Sequence, residues 1–276
     1  YAKAKNITDI TFMGVPKTID NDLAVTDHTP GYGSAAKYIA STMKEIIRDA
    51  LVQPIKIVNI IEIMGRNAGW LTAAAALAKG DDCEGADLIY LPETVFDINK
   101  FVAKVQEIQK TKKQIVVAVS EGVKTADGKY VCESASSNML VDSFGHKQLS
   151  GTATALANVI SNEIGCKTRA IEFSTIQRCA SHIASLTDVN EAFIVGGIAV
   201  KAAFDGETGK VGIFQRLSNK PYLMGTSIYD VNAIANVEKT VPQEWIINDG
   251  TGVSQEALDY MRPLIQGEIY PYMVDG

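Results

Sequence analysis

Runs of apolar, largely β-branched residues alternate along this chain with stretches of helical periodicity. The apolar runs fall at residues 10–15, 55–64, 88–91, 114–120 and 170–173, and they predict strands. Between them, residues 33–52 place Ala36, Ile39, Met43, Ile46, Ile47 and Ala50 on one helical face, and residues 68–79, 99–110 and 152–164 repeat the scheme. Strand, helix and strand in this order imply an α/β fold, with largely parallel sheets covered by helices on both faces. After Gln177 the pattern gives a helix at 189–203, a turn at 205–209 and a short strand at 211–215. Residues 126–129 read as a hairpin turn, and the first six residues as the last turn of a helix. No repeat, low-complexity stretch or flexible linker breaks the chain, so composition places no domain boundary.

With 276 residues, 46% of them hydrophobic and 21% charged, the chain can bury one large or two modest cores. A formal net charge of -6 argues against a nucleic-acid surface, so an anionic ligand must be met by local cations. The four cysteines, Cys83, Cys132, Cys166 and Cys179, form no C-x-x-C pair and suggest neither zinc nor a disulfide framework, which points to a reducing cytoplasm. No run is long and apolar enough to span a membrane; the alanine-rich run at 71–78 is far too short.

Candidate chemistry collects where predicted strands end, which is where open α/β sheets bind ligands. After the first strand comes Pro16-Lys17-Thr18-Ile19-Asp20-Asn21-Asp22-Leu23. There Thr18 can donate to a phosphate oxygen, Lys17 can neutralise one, and Asn21 can fix the turn through its own backbone. Asp20 and Asp22 can divide the work of taking a proton and holding a divalent cation. The second strand runs into Met64-Gly65-Arg66-Asn67, where glycine lets backbone approach a ligand and arginine offers a fork for phosphate or hydroxyls. Glu121-Gly122 follows the fourth strand, and its carboxylate can accept two sugar hydroxyls. Arg169 and Arg178 bracket the fifth and suit a terminal phosphate. Each group alone also reads as an ordinary surface turn or ion pair; four together at strand ends do not.

Other residues read as structural. His28, His146 and His182 lack metal-like spacing, and His28 serves to hold the loop at 26–33. Trp70 and the alanines after it suit tight packing on the sheet, and Lys110 to Lys113 a solvated helix end. Glu62, inside an apolar strand, is either a buried, paired carboxylate or the mark of an edge strand.

Taken together, the residues at 16–22, the Met64-Gly65-Arg66 turn, Glu121-Gly122, and Thr168-Arg169-Ala170 with Gln177-Arg178 resemble the phosphofructokinases across most of the chain. The resemblance implies that Asp20 is the base for the 1-hydroxyl of fructose 6-phosphate, that Asp22 helps hold Mg²⁺, and that Thr18 contacts the transferring phosphoryl group. It assigns Met64, Gly65, Arg66 and Glu121 to the sugar phosphate, Arg178 to its 6-phosphate, and Arg169 to the same phosphate in a neighbouring subunit of a homo-oligomer. Lys17 stands where ATP-using members usually carry glycine, so pyrophosphate is the expected donor. A lysine there neutralises the leaving phosphate and narrows the room for a nucleoside. The stretch Asn67-Ala-Gly-Trp-Leu-Thr-Ala-Ala and the tail Val241-Pro-Gln-Glu-Trp-Ile resemble the same pyrophosphate-using branch.

On this reading residues 1–31 and 177–240 are the remainder of a phosphoryl-donor domain, 32–176 a fructose 6-phosphate domain and 241–276 a C-terminal segment. Thr175 replaces a histidine that many relatives carry, and Ile57, beside Lys56, stands where bacterial ATP-using enzymes have arginine. The glycine-rich units, including a Gly-Gly-Asp loop, with which relatives begin are missing. The expectation is therefore a fragment with reduced turnover; the alternatives are an ATP-dependent enzyme and a non-catalytic sugar-phosphate-binding piece.

Overall fold

A computed structural model describes residues 1–134 and 149–274; His146 lies outside them. The elements, in chain order, begin with β1 (Met13–Gly14), α1 (Tyr32–Leu51), β2 (Ile57–Ile63) and a short α2 (Trp70–Ala73) that tightens into a 3₁₀ turn at Ala74–Ala78. There follow β3 (Leu88–Tyr90), α3 (Ile98–Ile108), β4 (Gln114–Ser120), α4 (Thr152–Ile164) and β5 (Lys167–Glu172). The rest comprises α5 (Leu186–Phe204), β6 (Lys210–Asn219), β7 (Tyr222–Asp230), β8 (Ile246–Ile247), β9 (Gly252–Val253) and α6 (Gln255–Met261).

Four parallel strands in the order β3-β4-β2-β5 make the central sheet. Alternate residues of β2 and β4 point to opposite faces. Ile61, Ile63, Val116 and Ala118 pack with Ile39, Met43, Ile47 and the alanines of 73–78 on one side. On the other, Val58, Ile60, Val117 and Val119 pack with Phe101 and Val105 of α3 and Leu156 and Ile160 of α4. Burial on both faces is what makes β2 and β4 near-continuous apolar runs. The α/β fold with covered parallel strands is therefore present. A second sheet, β1-β6-β7, pairs β1 parallel to β6 and β6 antiparallel to β7.

The departures from the sequence pattern lie mostly at edges. The strand expected at 10–15 shrinks to Met13–Gly14, because only β6 pairs with it and Ile10, Phe12 and Val15 are exposed. The short strand expected at 211–215 is half of a long hairpin, which turns at Lys220-Pro221 and whose outer half alternates too weakly to be read as strand. β5 begins three residues before the apolar run at 170–173, since Lys167 to Arg169 form part of an exposed edge strand. The 68–79 helix is one α turn followed by 3₁₀, its alanines packed on α1. Glu62 is no edge marker: β2 has neighbours on both sides, and the buried carboxylate accepts from Ala153 N–H at 2.9 Å, at the start of α4. His28 is buried as a loop anchor, with Nε2 2.7 Å from Glu191 and Nδ1 2.9 Å from Asp27, stacked on Phe214.

Both buried groups set a pH dependence. Burial pushes the Glu62 carboxyl up to about 7 from 4.5, so between those values the folded chain holds a proton that the unfolded chain releases. The partners Asp27 and Glu191 outweigh the burial of His28 and raise it above 6.5, so its contribution is complete below 6.5 and is lost as pH rises through the higher folded value. The stability these two groups contribute is expected to fall as pH rises from about 4.5 through 7 and above. Melting curves check this, and Glu62→Gln should flatten the lower part of that slope; an unchanged slope would refute the assignment.

Candidate active site

The strands end in register. Ile63 of β2 pairs with Ser120 of β4, and Glu62 with Glu172 of β5, so the segments that leave these strands emerge side by side. Gly65 takes φ 134°, and a Cβ there would meet the Ala68 carbonyl at 2.6 Å. At Gly122 a Cβ would fall 1.9 Å from the Arg66 carbonyl oxygen, so glycine is required for the two turns to touch. The Ser120 hydroxyl ties them further, donating to the Gly65 carbonyl and accepting from Gly122 N–H at 3.0 Å. Glu121 Oε1 lies 3.3 Å from Gly65 N–H, and Glu121 N–H donates to the Ile63 carbonyl at 2.9 Å.

The loop after β1 arrives from the second sheet. Thr18 forms a parallel bridge with Gly31, and the Thr29 hydroxyl donates to the Thr18 carbonyl at 2.7 Å. Thr18 Oγ1 in turn accepts from Asp20 N–H at 3.1 Å and lies 3.3 Å from Asp20 Oδ2. Asn21 is fully buried in the left-handed region at φ 56°. It fixes the turn across the fold and not through its own backbone: Nδ2 donates to the Tyr260 hydroxyl at 2.9 Å, and Oδ1 lies 3.4 Å from Lys239 Nζ. Tyr260 and Lys239 carry no local signal, being more than two hundred residues away along the chain. Lys239 N–H donates to the Asp22 carbonyl at 2.6 Å, and burial lowers its ammonium to about 8 against the pull of Asp27 and Asp22.

Electrostatics shows which charges act on one another. Burial raises the Asp20 carboxyl, and Asp22 raises it further, while Thr18, Lys17 and Arg178 oppose them. Burial likewise pushes Glu121 up to about 7; Glu62 and Asp20 add to the rise, and Gly65 N–H and Arg66 oppose it. Asp20 therefore feels Lys17, Asp22, Arg178 and Glu121 at once. A cavity of about 200 Å³ is lined by Lys17 and Arg178 together with Gly31, Ser34 and Asp188.

Asp20 is thus coupled to Lys17, Asp22, Arg178 and Glu121, and Glu121 to Arg66 and the Gly65 N–H, while Asp22 also lines a separate cavity with Leu23 and Glu238. Met64 precedes the Gly65 turn, its half-buried side chain packing on the core. Arg169 does not join them: it sits midway along β5, opposite Asn59, paired with Asp49 of α1 at 2.8 Å. Ile57 and Lys56 lie at the far end of β2, away from the crevice. Thr175 is exposed in the 3₁₀ turn that delivers Arg178.

The phosphofructokinase family model matches residues 1–180. The chain is 39% identical over 269 residues to the pyrophosphate–fructose 6-phosphate 1-phosphotransferase of Halomonas elongata, covering 97% of this chain and 63% of that protein. It is 42% identical to the Xanthomonas campestris enzyme of the same name, covering 93% and 61%. The crystal structure of a pyrophosphate-dependent phosphofructokinase from Nitrosospira multiformis superposes with a TM-score of 0.87 at 36% identity, covering all of this chain and 65% of that one. The chain spans less than two thirds of the length of these relatives. By family match, sequence identity and superposed fold, it belongs to the phosphofructokinase family.

Proposed function

We propose that this chain carries the fructose 6-phosphate side, and part of the donor side, of a pyrophosphate-dependent 6-phosphofructokinase. The reaction moves a phosphoryl group from pyrophosphate to the 1-hydroxyl of fructose 6-phosphate. The observation that carries this is the coupling of Asp20 to Lys17, Arg178 and Glu121, four groups from three separate chain segments. The relatives named above, and Lys17 in place of glycine, favour pyrophosphate over ATP.

In this reading Asp20 takes the proton as the sugar oxygen attacks phosphorus, and phosphate leaves toward Lys17. A carboxylate raised by burial is the stronger base, because its pKa lies nearer the working pH. Thr18 orients the reacting phosphoryl group. Gly65, Arg66 and Glu121, with the Met64 backbone, hold the sugar, and Arg178 holds its 6-phosphate. Positioning and charge neutralisation supply most of the acceleration in such a transfer. Among the described residues no cluster of three His, Cys, Asp or Glu side chains suits a resident ion. One carboxylate beside substrate phosphates does suit Mg²⁺, and the mutual repulsion of Asp20 and Asp22 is what a cation relieves. Asp22 would hold Mg²⁺, which when bound neutralises charge on the donor.

The domain division proposed is 1–31 with 177–240 for the donor, 32–176 for the sugar and 241–276 for the C-terminal segment. The β1-β6-β7 sheet and the four-stranded sheet draw on the first and second of these respectively. Arg169, outside its own chain's crevice, serves that of a second copy in a homo-oligomer. On α5, Phe193 and Phe204 are 85% and 89% exposed, a surface for further protein to cover. Four free cysteines suit a cytoplasmic setting.

Calorimetry with fructose 6-phosphate, run beside a turnover assay with pyrophosphate and with ATP, tests the reading. Binding is expected, and Glu121→Gln or Arg66→Ala should weaken it by about tenfold or more; no binding would end the proposal, and turnover with ATP alone would reassign the donor. Asp20→Asn should lower kcat by about 100-fold or more with KM for the sugar within a few fold. A kcat within a few fold of the parent removes Asp20 as the base. Lys17→Gly should raise KM for pyrophosphate and leave sugar binding intact, as donor-varied kinetics would read; unaltered donor kinetics would remove the case for pyrophosphate.

A further inference from the structure

Lys239 lies outside the motifs at the strand ends, yet its side chain reaches the back of the loop that carries both aspartates. Its Nζ donates to the Asp27 carbonyl at 2.6 Å and the Thr26 carbonyl at 3.2 Å, and approaches Asn21 Oδ1 at 3.4 Å. These three acceptors use all three ammonium hydrogens. Its backbone grips the same loop from the other side, N–H on the Asp22 carbonyl at 2.6 Å. The Lys239 carbonyl accepts from Trp70 Nε1 at 2.8 Å, and Nζ stands 5.2 Å from the Trp70 ring. Trp70 opens α2, directly after the Gly65-Arg66 turn. One residue earlier, Glu238 accepts from Asn67 Nδ2 at 2.7 Å and bridges to Leu23.

We infer that Lys239 is a positioning residue that clamps the loop at 18–27 to the Arg66–Trp70 turn, fixing where Asp20 and Asp22 stand relative to the sugar site. Without it, Asn21 would keep its left-handed backbone on the Tyr260 hydroxyl alone, and the Thr26 carbonyl would lose a buried partner. The register of the two aspartates would then be free to drift. A misplacement of about 1 Å is enough to cost a phosphoryl-transfer site a large part of its rate.

The mechanistic consequence rests on the function proposed above; the clamp itself does not. Two measurements on Lys239→Met, which keeps the stem and removes the donors, separate the two. Amide hydrogen exchange should quicken about tenfold or more across residues 18–27 and stay unchanged in β2 and β4. The Mg²⁺ concentration for half-maximal turnover should rise about tenfold with KM for fructose 6-phosphate within about threefold, and Lys239→Arg should recover part of the loss. Where the methionine variant fails to fold, Lys239→Gln, which keeps an amide NH₂ with two donors on a shorter stem, carries the same comparison. Unchanged exchange at 18–27, or acceleration spread evenly over the chain, overturns the clamp. A parent protein with no turnover fails the phosphoryl-transfer reading alone, and the exchange data still decide the clamp.

Discussion

The site depends on one constraint, the in-register ending of three parallel strands. With Ile63 opposite Ser120 and Glu62 opposite Glu172, the turns after β2 and β4 leave the sheet at the same height and must occupy neighbouring space. They fit only because Gly65 and Gly122 lack side chains: at Gly122 the carbonyl of Arg66 lies where a Cβ would be. Local chemistry follows from that contact. Glu121 is held against Gly65 N–H, and Arg66 is kept beside it, by backbone packing that neither charge creates.

That framework also explains why carboxylates tolerate the crevice. Asp20, Glu121 and Glu62 are each raised by burial, and each raises a neighbour or is raised by one. A cluster of this sign in a chain of net charge -6 is unfavourable toward anions unless cations are aimed at the same space. Lys17 and Arg178 act on Asp20 and Arg66 acts on Glu121, and these cations come from different segments, so only the folded chain brings them together. The pairing of these carboxylates with cations is thus a property of the tertiary structure and of no single segment.

How much of this the sequence revealed follows from where each signal resides. β2, β4, α1 and α4 are plain in the pattern because burial on two faces, or one helical stripe, imposes a period over many residues. The Gly65, Glu121 and Asp20 turns are visible because special backbone and charge follow an apolar run. The β6-β7 hairpin is less legible: its outer half is solvated and its exposed positions are not held to a period. Glu62 leaves two readings open from sequence, since what decides between them is the N-terminus of α4, ninety residues away. Lys239, Tyr260 and Asp188 give no signal at all. Each acts through a partner distant in sequence, and nothing beside them marks the loop they hold.

The division between legible and hidden residues is itself informative about how the crevice works. Groups that would touch substrate stand on turns whose local sequence is constrained by backbone geometry, and so they can be read. Groups that hold those turns act through partners far along the chain, so no local pattern marks them. Asp188 shows the pattern at the other end of the loop: from α5 it accepts Gly31 N–H at 2.8 Å and also the Ser34 hydroxyl, fixing the start of α1 where Thr18 bridges. The loop at 16–31 is thereby pinned from two sides, by α5 at its end and by residues 238–239 at its middle. Preorganised donors and acceptors in this arrangement spend their ordering cost in folding, so under the proposed function none of it is spent at the moment of transfer.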